Sequence, residues 1–108
     1  MRNTTAAATI VLTLSHGVAI ADDNRTDAVR AHMSCVRDHV ATLDDGKIDP
    51  KRLAEMIVPV CHSLHEASEQ AVAPQVWSAT PADKQHEVEF MHTWAAVLWS
   101  RESLKQGR

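Results

Sequence analysis

The chain has 108 residues, two of them cysteine, and sets 14 Asp+Glu against 11 Lys+Arg, a formal charge of −3. That length limits it to one small domain with a thin core. The acidic balance argues against a nucleic-acid surface, which needs a basic stripe, and against electrostatic docking on anionic lipid.

The first element reads as an export signal. Met1-Arg2-Asn3 carries one positive charge, and residues 6–21 carry none. The run ends in Ala19-Ile20-Ala21, a small-x-small pattern, followed by Asp22-Asp23. These are the three parts of a secretory signal peptide, with cleavage expected after Ala21. The run is shorter than the roughly 20 residues a bilayer span needs, so no membrane span is expected once it is removed. The mature domain is then residues 22–108, placed outside the cytoplasm and most simply in a bacterial periplasm.

Three helices are predicted in that domain. The first covers about 24–43, with Val29, Met33, Val36, Val40 and Leu43 on one stripe at helical spacing. Asp44-Asp45-Gly46-Lys47 ends it, and Gly46 suits a left-handed backbone. Asp49 is a natural N-cap, and Pro50 fits the first helical position, where its missing N–H is not needed. The second helix, about 50–70, carries Leu53, Ile57, Val60, Leu64 and Ala67. Residues 71–79 contain Pro74 and no clean period, which predicts a connector anchored by Trp77. Thr80-Pro81-Ala82-Asp83 then opens a third helix over about 81–105, with Arg101 and Lys105 near its C-terminal end as the helix dipole prefers. No strand-like alternation occurs, so the fold class is all-α.

Helix heights connect the cysteines. Cys35 lies nine residues before the turn that starts at Asp44, and Cys61 eleven after the helix start at Pro50. At about 1.5 Å per residue the two heights differ by roughly 3 Å. An antiparallel hairpin therefore brings them within reach of a disulfide, which small exported domains commonly use to support a thin core. The expected architecture is a three-helix domain built on a hairpin cross-linked by Cys35–Cys61. From Arg25 to Gln70 this layout resembles that of many small exported bacterial helical-hairpin proteins.

The same geometry admits a metal alternative. His32 is one turn before Cys35 and His65 one turn after Cys61, so His32, Cys35, Cys61 and His65 could converge as a two-Cys, two-His zinc set. That set and the disulfide exclude each other, because zinc needs both thiolates. Histidines outside the cytoplasm could also capture copper or nickel. No cofactor is implied: Cys61-His62 lacks the first cysteine of a haem-attachment motif, whose place Val58 occupies. The paired acids Glu66 and Glu69, or Glu87 and Glu89, read as ordinary solvated helix residues, and no arrangement supports catalysis.

The third predicted helix says most about partners. Its apolar residues span an arc of roughly 200°, against a little over 100° needed to lie on a two-helix hairpin. The surplus centres on Val88, Met91, Ala95 and Trp99, which reads as an interface with a second copy or another exported protein. The expected function is thus non-catalytic protein binding or assembly. Two alternatives are a metal-binding module using His32 and His65, with or without the cysteines, and an acid-responsive periplasmic chaperone whose histidines charge near their usual pKa of about 6.5.

Overall fold

The computed structural model describes residues 24–107, so the expected signal segment and its cleavage point lie outside the described residues. Within them the fold is all-α, built of α1 (24–43), α2 (Pro50–Val72), α3 (Pro74–Ala79) and α4 (Ala82–Gln106). The segment expected as an irregular connector is instead the end of α2 and the whole of α3. Pro74 occupies the first turn of α3, where its fixed φ starts a helix and its missing N–H has no helical partner to lose. No helix among the described residues is long and apolar enough to cross a membrane.

The α1–α2 turn is held by its own acidic side chains. Asp44 Oδ1 accepts from the Gly46 N–H at 2.9 Å, and Asp45 Oδ1 accepts from the Lys47 N–H at 2.8 Å. Gly46 has φ of +82°, the left-handed backbone that glycine adopts without penalty. Asp49 then caps α2 by accepting from the Lys51 N–H at 2.8 Å, ahead of Pro50. Six residues thereby reverse the chain, and α2 runs back along α1. Cys35 and Cys61 meet across this hairpin at disulfide distance, with Sγ atoms 2.11 Å apart and Cα atoms 5.9 Å apart.

The core forms where α4 crosses the hairpin. Val36 and Val40 of α1, Leu53, Ala54 and Ile57 of α2, and Ala96 and Val97 of α4 are essentially solvent-free. Burying each large aliphatic side chain contributes about 1.5–3 kcal/mol. Met33, Phe90, Trp94 and Leu104 pack around this centre. The Lys51 ammonium also lies 4.8 Å from the centre of the Trp94 ring.

The buried stripe of α2 is rotated from its sequence position. On α2 the buried line is Leu53, Ile57, Cys61, His65 and Ser68, whereas Val60 is exposed. That line follows a steady step of about four residues, the ridge that interdigitates with a neighbouring helix. On α4 the buried line is Glu89, Thr93, Ala96, Val97 and Ser100, largely polar or small. Small side chains there allow close helix approach, and the apolar residues of α4 other than Ala96 and Val97 are turned toward its flanks and outer side.

Candidate functional site

The α2–α4 seam concentrates the polar chemistry of the described residues. His62, His65 and Glu69 lie on α2, and Glu89 and His92 on α4. His65 and Glu69 are one turn apart and share a face, as do Glu89 and His92. Packing the two helices joins these faces. His65 Nε2 stands 3.1 Å from His92 Nδ1 and 3.4 Å from Glu69 Oε1, and His92 Nδ1 stands 3.2 Å from Glu69 Oε1. One turn away, His62 Nδ1 donates to the buried Glu89 carboxylate, at 2.9 Å and 3.0 Å from its two oxygens.

Aromatic rings enclose His65. The His32 ring meets it edge-on at 5.1 Å between centroids, and the Trp77 ring does so at 5.5 Å from the opposite element, α3. Trp77 is fixed in place because its Nε1–H donates to Glu66 Oε2 at 3.0 Å, while its backbone carbonyl accepts from Gln85 Nε2 at 2.7 Å. Trp77 is thus the anchor expected from the sequence. Burial lowers the His65 pKa below 6.5, opposed by the negative charges of Glu89 and Glu69. Burial also pushes His32 down to about 4, assisted by repulsion from His65 and His92. These two histidines therefore depart from the uniform charging near pH 6.5 that the acid-response alternative assumes.

The structure separates the four residues of the expected two-Cys, two-His set. His32 and His65 do come together, yet their neighbours are His92 and Trp77. The cysteines bond to each other, with His39 Nδ1 at 3.9 Å from Cys35 Sγ and 4.0 Å from Cys61 Sγ. His39 Nδ1 is engaged as a donor to the Cys35 carbonyl at 2.8 Å. Glu69, Glu89 and His92 carry the seam, although the sequence reads the two acids as solvated residues and does not single out His92. The available signal was the pairing of His65-x-x-x-Glu69 with Glu89-x-x-His92, two helical faces each joining a histidine to an acid.

The four residues named as a partner surface lie along one side of α4. Met91, Ala95 and Trp99 are exposed, and Val88 is half-buried. Trp99 borders a shallow groove with Arg30, Met33, Ser34 and Arg37 of α1, while Val88 and Met91 border another beside Lys84, Glu87 and His92. Compared with models of protein families, with curated proteins and with solved structures, the chain matches none.

Proposed function

We propose that this protein is a non-catalytic, exported helical protein that acts by binding a second copy of itself or another exported protein through α4. The observation that carries the reading is the face that this helix leaves outside the core. Its inward line holds Glu89, Thr93 and Ser100 beside Ala96 and Val97, whereas Met91, Leu98 and Trp99 remain 50%, 47% and 56% exposed. A helix that buries polar residues and leaves Trp and Met at the surface runs against ordinary burial preferences. Trp and Met are residue types favoured at the centre of interfaces. The disulfide clamps the hairpin that presents this helix, and the export signal read in the sequence places the surface where such a clamp persists.

Sedimentation over a range of concentrations, with a photo-crosslinking residue at Ala95 in cells, tests the proposal. Trp99→Asp is expected to weaken self-association or adduct formation by about 30-fold, the scale of a hot-spot residue. The proposal fails if the wild type sediments as a monomer throughout and crosslinks at position 95 match those at the exposed control position Glu102.

A further inference from the structure

We propose that His65, Glu69 and His92 form a binding site for one divalent first-row transition ion, with zinc as the best geometric match. The three donor atoms form a nearly equilateral triangle with sides of 3.1, 3.2 and 3.4 Å. Zinc bonds of about 2.0–2.1 Å arranged tetrahedrally separate neighbouring ligand atoms by about 3.3–3.4 Å. An octahedral ion with bonds of about 2.1 Å separates them by about 3.0 Å, a poorer fit to this triangle. Two imidazoles and one carboxylate oxygen are also ligands that suit zinc and its neighbours in the first transition row.

With Glu69 ionised, the imidazole protons cannot satisfy the triangle. Each imidazole nitrogen offers a single in-plane position, either an N–H or a lone pair. If both nitrogens donate to Glu69, two N–H groups face each other across 3.1 Å. If either nitrogen is an acceptor, its lone pair faces the carboxylate oxygen. Each of these assignments leaves at least one repulsive edge, and burial of His65 at 1% exposure removes the water that would screen it. A cation held by all three atoms accepts a lone pair from each and removes the conflict.

The surroundings suit such a site. His65 is depressed in pKa by its burial, so its Nε2 lone pair is available at neutral pH. His92 is about half exposed and Glu69 partly so, which gives an ion a route from solvent and leaves the outer coordination position open. Glu66 is held away by the Trp77 N–H, and Glu89 by His62. The other cluster of metal-ligating atoms, Cys35, His39 and Cys61, is closed by the cystine and by the bond from His39 to the Cys35 carbonyl.

Titration of the purified, disulfide-bonded protein with Zn(II), after removal of adventitious metal by a chelator, tests the site. The expected result is uptake of one equivalent, with affinity lowered at least tenfold in His92→Ala and in Glu69→Gln. Both positions retain solvent contact, so far-UV circular dichroism is expected to stay unchanged. His39→Ala and His86→Ala are expected to bind as the wild type does. Nitrogen-15 imidazole spectra of the wild type supply a readout independent of any variant: Zn(II) is expected to shift His65 Nε2 and His92 Nδ1. No stoichiometric uptake, unchanged affinity in both site variants, loss of affinity in His39→Ala, or unmoved His65 and His92 resonances would each overturn the assignment.

Discussion

Arg101, near the C-terminal end of α4, grips Asp44 in the α1–α2 turn through two parallel hydrogen bonds. Nε donates to Oδ2 at 2.6 Å and Nη2 to Oδ1 at 2.7 Å, and Nη2 also donates to the Ile48 carbonyl. The two side chains are 19% and 11% exposed, and the Asp44 hydrogen bond raises the Arg101 pKa above its ordinary value. One guanidinium thus ties the third long helix to the turn that closes the hairpin. Arg101→Ala or Asp44→Asn is expected to cost about 2–3 kcal/mol. Arg101→Lys is expected to recover less than half, since an ammonium lacks the planar fork. A urea double-mutant cycle with no coupling between positions 44 and 101 would refute this assignment.

The cystine closes a separation of 26 residues. On the chain-entropy account, Cys35→Ala/Cys61→Ala is expected to lose about 3.5 kcal/mol. Against a total stability of about 5–15 kcal/mol this is a large share. Urea midpoints with and without a dithiol reductant measure it. The double variant is expected to start low and ignore the reductant, whereas an equal response in both proteins would point to some other effect.

Acid is expected to destabilise the metal-free protein through His32. This residue is 5% exposed, and its pKa falls from 6.5 in the unfolded chain to about 4 in the fold. Between pH 6.5 and 4 the unfolded state binds the extra proton, so stability is intact above the window and declines as pH drops through it. The full loss is on the order of 3 kcal/mol, and His65, also lowered by burial, acts in the same direction. Melting temperatures from pH 7.5 to 4 are expected to drop steeply for the wild type and less so for His32→Leu. Parallel curves for the two proteins would rule out His32 as a source.

Gly46 separates backbone strain from packing. A Cβ built on it meets nothing within 4 Å, yet its φ is +82°. Gly46→Ala is therefore expected to cost about 1–2 kcal/mol through the left-handed conformation alone. Gly46→Asn is expected to cost less, because asparagine tolerates that region. Equal stability of Gly46→Ala and the wild type in thermal melts would mean that the turn adopts another conformation.

Much of the scaffold follows from sequence because its causes are local. Asp49-Pro50 starts α2, Gly46 permits the reversal, and helix rise per residue sets Cys35 opposite Cys61. Each depends on residues a few positions apart or on counting along a rigid helix. The error over residues 71–79 has the same local character. Pro74 was read as an interruption, although a proline equally begins a helix, and here it begins α3.

The contacts that α4 makes were not legible in this way. Its apolar residues span so wide an arc that its own periodicity permits several inward faces with similar apolar burial. The choice is made by what α4 meets: the small line of Thr93, Ala96 and Ser100 packs closely, Glu89 finds His62, and Arg101 finds Asp44. Sequence by itself determined the three long helices, the reversal between the first two and the cystine, since bond geometry and helix rise leave little freedom over those distances. Only tertiary structure decided what the inward line of α4 meets. That fit brings His92 to His65 across 27 residues of chain, and to Glu69 beside it, because contacts between separate helices depend on mutual fit and not on either helix's own pattern.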